Sequence, residues 1–592
     1  MFSRSTQFSW RMTSQDGTTS NEDDSSILYN LATSTGIPDL NPAVYPFDTA
    51  LNRRPGQYPV GSNSLNNLAN SLQTRFEHSG QLKDLEEAIS LHRDALELRP
   101  AGHPNRSDSL NNLGNSLQTR FEQSGQLGDL NEAISLHRDA LKLFPSGHPN
   151  RSISINNLAN SLQTRFEQSG QLEHLDESIS LHRDALERRP ADHPDRSTSL
   201  NNLANSLISR FEQSGQFEDL DEAMELYQKS IKSLPRGHPF LCRFSCNFGE
   251  ALFSAYSPTR EWKYLDNAVA TYRAAVRCES ASASERFQAA KSWAQRADQS
   301  DHESAMDAYL AATELLPRLA MLGSDLQARQ RALTSGSDGL ARDAAGCAIR
   351  SGQYEKTVEL LEEGRAIFWS QALQLRTPMT RLREVAPELE IKLKSLSFAL
   401  EQGSLRDTSR NLSDSSQKVM SMEQEARHFY RLNVEWLEAL EKVRGLHDFE
   451  DFLRPSRLST LQGAAVDAPV VILNASKFGC DGLIMTSSDV KHIPFPGLSF
   501  AAVNKLVWLI QTATARNSLV PGAFLVQVDA FFQQMSPVSN AGRSLRQSVE
   551  ERHVKRVSDT RVDPEDIFHF VLGALWMLVV EPVIGSLNFE VS

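Results

Sequence analysis

Apolar residues recur every three or four positions through most of the chain, the spacing typical of amphipathic helices. Two such stripes lie between residues 64 and 100. The first contains Leu65, Leu68, Ala69, Leu72 and Phe76, and the second contains Leu85, Ala88, Ile89, Ala95 and Leu96. Ser79-Gly80 between the stripes and Pro100 after them are residues that end helices. The pattern predicts two helices joined by a turn.

This two-helix pattern repeats every 45 residues with little change. The segment SLNNLANSLQTRF and its close copies begin at Ser64, Ser109, Ser154 and Ser199. A diverged fifth copy keeps the same spacing around Asn247, and a trace of an earlier copy lies around Leu51. One helix pair cannot bury both of its stripes, whereas stacked pairs can. We therefore expect an α-solenoid of five units over residues 61–280.

The units resemble the tetratricopeptide repeat. Leu68-Ala69 and Leu72 match the L-G-x2-Y positions of that repeat, and Ala88, Ala95 and Pro100 match positions of its second helix. The tetratricopeptide unit is about 34 residues long, so this version has longer helices and a longer turn. The start of each unit is similar to kinesin-light-chain-type repeats, which implies a concave surface that binds peptides.

Polar residues with the same phase in every unit are the candidate binding residues. On a helical wheel, Asn66, Asn70 and Gln73 flank the first apolar stripe, and the resemblance implies that Asn67 and Asn70 face the groove. Asparagine offers both a donor and an acceptor to an extended peptide. The candidates are Asn66, Asn67, Asn70, Asn111, Asn112, Asn115, Asn156, Asn157, Asn160, Asn201, Asn202 and Asn205. The alternative is that these residues form hydrogen bonds between repeats, which would make them part of the scaffold.

Histidines also recur in the repeats, and two cysteines invite comparison with a metal site. His92, His137 and His182 share one position on the second helix, and His103, His148, His193 and His238 share one in the turn. Ligands of one metal ion must converge to about 2 Å from it, which equivalent positions of neighbouring repeats do not. Cys242 and Cys246 have no second ligand pair at zinc-like spacing. We expect packing or capping histidines, no metal and no cofactor.

The C-terminal part begins with further helices and ends with a different pattern. Residues 281–450 read as less regular helical repeats, with a polar loop at 404–416. The stretch APVVILNASKFGCDGLIM, residues 468–485, has two short apolar runs joined by turn residues, which predicts a β-hairpin. The expected domains are a disordered tail with a repeat remnant (1–60), repeats (61–280), helices (281–450) and a partial α/β domain (451–592).

The segments 360–389, 452–485, 490–498 and 566–587 resemble the first part of a CHAT domain, the caspase-like domain found behind tetratricopeptide arrays in fungi. Active members of that family are cysteine peptidases, and the motifs that carry their His and Cys do not occur here. Cys480 lies within the predicted hairpin, next to Asp481, which disfavours a thiolate. The resemblance therefore implies the fold and transfers no catalytic residue.

Composition narrows the possible partners and compartments. The chain has 61 basic and 74 acidic residues, a net charge of −13, which argues against nucleic acid as the main partner. Five cysteines among 592 residues are typical of reduced, intracellular thiols. The apolar run 568–580 is shorter than the roughly 20 residues that cross a membrane. A cytoplasmic location is expected, although Arg4 and Arg11 before the first acidic residue also fit a mitochondrial presequence.

The sequence therefore predicts a mostly α fold, a tetratricopeptide-like solenoid followed by a partial caspase-like domain. Its expected function is a protein- or peptide-binding scaffold without catalytic activity. One alternative is a truncated gene model of a caspase-like cysteine peptidase, in which the repeats select or sense the partner. Another is a self-assembling structural array. The partner and the oligomeric state are not determined by the sequence.

Overall fold

The computed structural model describes most of the chain at residue level. The described residues are 61–79, 82–145, 147–148, 150–319, 339–374, 379–404, 422–454, 456–514 and 564–587. The predicted N-terminal tail, the trace of an earlier repeat and residues 405–416 of the predicted polar loop at 404–416 lie outside the described residues. By its contacts the chain divides into two compact units, Met1–Ala332 with Leu375–Lys442 and Leu333–Gln374 with Val443–Ser592.

The first unit contains the predicted helix pairs. Four pairs come from the near-identical repeats: α1 (Ser62–Ser79) with α2 (Leu82–Glu97), α3 (Arg106–Ser124) with α4 (Leu127–Leu143), α5 (Arg151–Ser169) with α6 (Leu172–Glu187), and α7 (Arg196–Ser214) with α8 (Phe217–Lys232). Two diverged pairs follow: α9 (Phe240–Thr259) with α10 (Trp262–Val276), and α11 (Ala283–Gln299) with α12 (Ala305–Leu319). The predicted helix-pair repeat is confirmed.

The predicted apolar stripes form the core of the array. Leu85 is fully buried, Leu72 is 1% exposed and Ile89 is 2% exposed. In the first stacking contact, Phe76, Leu85 and Ile89 pack in one cluster with Leu113 and Leu117 of the next repeat. The apolar face that one helix pair leaves uncovered is therefore closed by its neighbour, which is why the units need one another.

A left-handed glycine ends the first helix of the repeats. Gly125, Gly170 and Gly215 have φ between 69° and 71°, and the backbone N–H of each donates to the phenylalanine carbonyl four residues earlier, at 2.7 to 2.8 Å. A residue with a Cβ is strained in this conformation, whereas glycine is not. The Ser-Gly break seen in the sequence is thus a helix C-cap that turns the chain into the second helix.

Three further helices complete the described part of the first unit: α15 (Thr380–Val385), α16 (Pro387–Ser404) and α17 (Met422–Arg444). The helix pair α13 (Leu340–Arg350) and α14 (Tyr354–Gln374) precedes these three helices in the chain and belongs to the second unit. Between α16 and α17 the indole N–H of Trp436 donates to Ser397 Oγ at 3.1 Å.

The second unit is built around a three-stranded antiparallel sheet in the order β1-β2-β3. Strands β1 (Val470–Ser476) and β2 (Gly479–Met485) form the predicted hairpin, in a register that pairs Val470 with Met485. Strand β3 (Val490–Pro494) extends the sheet and pairs with β2. The sheet is consistent with a partial α/β domain.

Helices flank the sheet of the second unit. They are α18 (Leu458–Leu461) with a 3-10 turn (Gln462–Ala465), α19 (Phe500–Thr514), α20 (Pro564–Leu575), a π-helical turn (Trp576–Val580) and α21 (Glu581–Ser586). The pair α13–α14 packs against β1 and β3. A Cβ at Gly346 of α13 would lie 2.6 Å from Ser476 Oγ, so the glycine lets the helix approach the strand. Within the described residues, no helix is both long and apolar enough to cross a membrane.

Candidate functional site

The asparagines that the sequence placed in a peptide groove lie inside the array. All twelve except Asn67 and Asn70 are buried, with at most 5% of their surface exposed. Asn67 and Asn70 belong to the first described repeat, and the equivalent positions in the later near-identical repeats are buried. Ten of the candidates are therefore buried in the array and do not line an open groove: Asn66, Asn111, Asn112, Asn115, Asn156, Asn157, Asn160, Asn201, Asn202 and Asn205.

These asparagines form hydrogen bonds from one repeat to the next. Asn112 Nδ2 donates to Asn66 Oδ1 at 3.2 Å, and Asn202 Nδ2 donates to Asn156 Oδ1 at 3.1 Å. Asn247 of the fifth helix pair continues the series and donates to Asn201 Oδ1 at 3.2 Å. The structure thus gives the asparagines the scaffold role that the sequence left as the alternative, while peptide binding by them stays a prediction.

A second row of inter-repeat hydrogen bonds runs parallel to the first. The hydroxyls of Ser116, Ser161 and Ser206 donate to glutamine side chains of the preceding repeat, at 2.6, 2.7 and 2.8 Å. The accepting glutamines are Gln73, Gln118 and Gln163. We call the two rows together the polar ladder. Because buried polar groups are costly unless they are paired, the ladder favours one register of stacking.

The histidines of the second helices pack against the polar ladder. His92 Nδ1 lies 3.2 Å from Asn66 Oδ1, and His137 Nδ1 lies 3.2 Å from Asn111 Oδ1. Burial, together with the charge of a nearby buried arginine, lowers the pKa of His92 and of His182 to about 3. Both imidazoles are therefore neutral in the folded protein at physiological pH.

Two buried arginines at the end of the second helix were missed by the sequence analysis. Arg99 is fully buried and donates from Nη1 to the Asn105 carbonyl at 2.8 Å and to Ser109 Oγ at 2.9 Å. Arg189 is its equivalent two repeats later and donates to Ser199 Oγ. The signal was present in the sequence, because both arginines directly precede the proline that ends the unit and lie ten residues before a serine. They fix the turn between repeats.

A further set of arginines pairs with aspartates within the repeats. Arg75, Arg120 and Arg210 lie four residues before the end of the first helices, and each binds an aspartate nine residues later with two nitrogens, at 2.6 to 2.8 Å. Their partners are Asp84, Asp129 and Asp219. Bidentate guanidinium–carboxylate contacts are strong and fix geometry. The pairs hold the two helices of a unit together.

The exposed side of the second helices carries a regular series of ion pairs. Arg93 binds Glu132 at 3.0 Å, Arg138 binds Glu177 at 2.8 Å and Arg183 binds Glu222 at 2.7 Å. Each pair joins consecutive repeats, and all six side chains are between 41% and 48% exposed. Exposed pairs of this kind stabilise a protein by about 0.2–1 kcal/mol each. The same exposed arginine–glutamate pair thus recurs at each step from one repeat to the next.

The turn histidines cap the loops between repeats, as the sequence analysis expected. The Nδ1 atoms of His103, His148 and His193 accept the backbone N–H two residues later, each at 3.1 Å. His238 does the same at 3.2 Å. A search of the described residues finds no cluster of histidine, cysteine or acidic residues arranged to hold a metal ion.

Cys480 of the second unit is buried. The nearby histidine, His492, pairs with Asp481, the residue after the cysteine. The thiol is 4% exposed, and burial together with the Asp481 carboxylate raises its pKa to about 11. His492 Nε2 lies 2.7 Å from Asp481 Oδ1, and the His492 ring stacks on Tyr354 at 5.2 Å. Residues 480 and 481 point to opposite faces of β2, so His492 cannot activate the thiol.

Comparison with known proteins identifies the repeats. The tetratricopeptide repeat model matches residues 62–105, 153–195 and 196–239. A crystal structure of nearly identical TPR-like repeats from Podosopora anserina is 21% identical, covers 35% of this chain and 93% of that chain, and has a TM-score of 0.26. A human IFIT1 dimer with m7Gppp-AAAA is 16% identical, covers 70% of this chain and 80% of that chain, and has a TM-score of 0.30.

No curated protein matches the chain. At these identities and TM-scores the two solved structures say nothing about what this chain binds. The matched residues contain three of the four near-identical helix pairs that the polar ladder joins. The chain therefore carries tetratricopeptide repeats.

Proposed function

We propose that the chain is a cytoplasmic protein- or peptide-binding scaffold whose partners contact the exposed faces of the tetratricopeptide array. Tetratricopeptide repeats generally mediate protein–protein interactions, and the match to that repeat carries the proposal. The exposed ion pairs on the second helices support it, because they present the same side chains at every step along the array. A regular row of identical sites suits a partner that is itself extended.

The buried polar ladder limits which residues contact the partner. Asn67 and Asn70 are the candidate asparagines that are partly exposed in the described structure, although the Asn70 side-chain oxygen is buried. The remaining candidates would act indirectly, by fixing the spacing of the exposed residues. The net charge of −13 favours a protein over a nucleic acid as the partner.

For the second unit we propose a partial CHAT fold that does not catalyse peptide hydrolysis. The hairpin, with helices beside it, supports the fold, and the resemblance in the segments 360–389 and 452–485 supplies the family. The burial of Cys480 and its raised pKa support the lack of activity through this thiol, because the thiolate is the nucleophile. The alternative, a caspase-like peptidase with a longer sequence, would be supported by coding DNA that continues past Ser592 into His- and Cys-bearing strands.

The experiment that tests the scaffold proposal is binding of the labelled full chain to an array of immobilised peptides. We expect a defined subset of peptides to bind, and scrambled versions of that subset to bind weakly. A matched variant lacks residues 109–153, one full repeat, and should lose affinity while keeping its helix content by circular dichroism. Equal binding of native and scrambled peptides, or unchanged affinity after loss of the repeat, would contradict the proposal.

A further inference from the structure

One arginine in the repeats has lost the partners that its equivalents keep. Arg75, Arg120, Arg165 and Arg210 occupy the same position at the end of the first helix, and we call them the arginine row. Three of the four bind an aspartate nine residues later. At that position the repeat of Arg165 has His174. The exchange replaces a carboxylate with an imidazole.

The backbone holds His174 where the aspartates lie in the other repeats. His174 N–H donates to the Gln171 carbonyl at 3.2 Å. The equivalent bonds of Asp129 and Asp219, to Gln126 and Gln216, measure 3.1 and 3.3 Å. Since helix α6 begins in the same way as its equivalents, the side chain of His174 starts from the same point beside the guanidinium.

A second acidic neighbour is also missing at Arg165. Arg210 additionally binds Asp176 of the preceding repeat at 3.0 Å, 34 residues earlier in the chain. At Arg120 the equivalent residue is Glu86, whose charge helps to raise the pKa of that arginine. At Arg165 the equivalent residue is Asn131. Both of these acidic positions are thus non-acidic at the Arg165 repeat only, whereas Glu177, the equivalent of the Glu132 that also neighbours Arg120, remains and is paired with Arg138 at 2.8 Å.

The Arg165 guanidinium is consequently open to a ligand. Within the part of the chain that the structure describes, no side-chain hydrogen bond or ion pair reaches it, and the side chain is partly exposed, as are those of the paired arginines at 25–29%. Asn131 is exposed and His174 is partly exposed. An amide and an imidazole both offer N–H donors, so the groups around the guanidinium suit an anion.

We propose that Arg165, Asn131 and His174 form a carboxylate-binding site for an acidic side chain of a protein partner. The neighbouring pairs carry the argument, because each shows this arginine position gripping a planar carboxylate with two N–H groups. The partner would supply the carboxylate that the chain lacks at this repeat. The inference rests on the proposed scaffold function and assigns one chemical contact to it.

Chemical modification of the full chain tests whether Arg165 is free. Phenylglyoxal reacts with unpaired guanidinium groups, and mass spectrometry of proteolytic fragments reports each arginine separately. We expect Arg165 to react about 1.5- to fivefold faster than Arg120 and Arg210, the range set by the strength of a partly exposed ion pair. A fluorescein-labelled Asp/Glu peptide should protect Arg165, and the matching Asn/Gln peptide should not. Equal reactivity along the arginine row, or absent protection, overturns the proposal.

Substitutions that remove the proposed site at Arg165, and others that create an equivalent site at Arg120, test the proposal. Binding of the labelled Asp/Glu peptide is measured by fluorescence anisotropy at 0.15 M salt, where charges further apart than about 8 Å are screened. His174→Asp restores the internal pair and should weaken binding about tenfold, as should Arg165→Gln. The double variant Glu86→Asn with Asp129→His copies the site to Arg120 and should add a second binding site. Unchanged binding in His174→Asp overturns the proposal.

Two further outcomes separate this inference from the scaffold proposal. If array peptides bind the wild type and His174→Asp equally well, the scaffold function stands and the carboxylate site is refuted. If the array gives no specific binding while the Asp/Glu peptide still protects Arg165, the site stands and the scaffold function fails. Protection of Arg165 by inorganic phosphate but not by the Asp/Glu peptide overturns the assignment of a carboxylate.

Discussion

At the scale of single residues, the buried histidines make the array sensitive to acid. His92 and His182 are neutral in the folded chain, with pKa values lowered to about 3, whereas a histidine in an unfolded chain has a value of 6.5. Between those values the unfolded state binds more protons, so stability is fully present above pH 6.5 and is lost as the pH falls. Each of the two histidines should cost about 2 kcal/mol at pH 5.

Urea unfolding at pH 7.5 and pH 5 checks this prediction. The repeats provide a matched control, because Tyr227 and Tyr272 stand at the equivalent position in the fourth and fifth helix pairs. His182→Tyr should therefore reduce the loss of stability on acidification while keeping the fold. A midpoint that falls equally in the wild type and in this variant would show that His182 contributes nothing to the acid response.

The burial of Cys480 leads to a second prediction at this scale. With its pKa raised to about 11, only about one thiol in a thousand is ionised at pH 8. Iodoacetamide should therefore label Cys278, which is partly exposed, well before Cys480 in the native chain. Mass spectrometry of the labelled fragments gives both rates in one experiment. Faster labelling of Cys480 than of Cys278 would mean that the thiol is activated.

At the scale of elements, the helix C-cap sets where each first helix ends. Gly125 has φ of 71°, a conformation that costs a residue with a Cβ roughly 1–2 kcal/mol. Gly125→Ala should lower the free energy of unfolding by about 1 kcal/mol, measured by urea titration. Gly128→Ala is the control, because it lies within helix α4 with open space around it, and it should be neutral or slightly stabilising. Equal effects would contradict the capping role.

The elements that the sequence predicted are those specified by nearby residues. The 45-residue helix pairs and the hairpin at Val470–Met485 follow from apolar spacing and turn residues, which act within a few positions. Strand β3 was not predicted, because VKHIP is five residues long and takes its place only by pairing with β2. The packing of α13 on β1 was missed for the same reason, since the two are far apart in sequence.

The candidate site shows what a helical wheel leaves out. The wheel identifies which face of a helix holds Asn66 and Gln73, but it does not say what covers that face. In this chain the next repeat covers it and supplies Asn112 and Ser116 as partners. The 45-residue repeat did contain the signal for the arginine row, because Arg120 and Asp129 recur with the unit. Once these ion pairs are known, the sequence also shows that His174 and Asn131 stand where other repeats have acidic residues.

At the scale of the whole molecule, the residues that hold the repeats together differ from those proposed to contact a partner. The polar ladder lies between repeats and is buried, whereas the ion pairs of the second helices are exposed. Removal of ladder residues should therefore act on stability first. The groove hypothesis makes the opposite prediction, that the same residues act on binding and leave stability intact.

The most direct test replaces Asn70, Asn115, Asn160 and Asn205 together with alanine and measures thermal melting and peptide-array binding on the same sample. Three of these side chains are buried, and each such loss should cost about 1–3 kcal/mol. The exposed Gln123→Ala serves as the control and should change neither property. The account predicts a melting temperature that falls by several degrees, with binding retained by the chain that remains folded. Abolished binding at an unchanged melting temperature would contradict it and establish the asparagines as the binding groove.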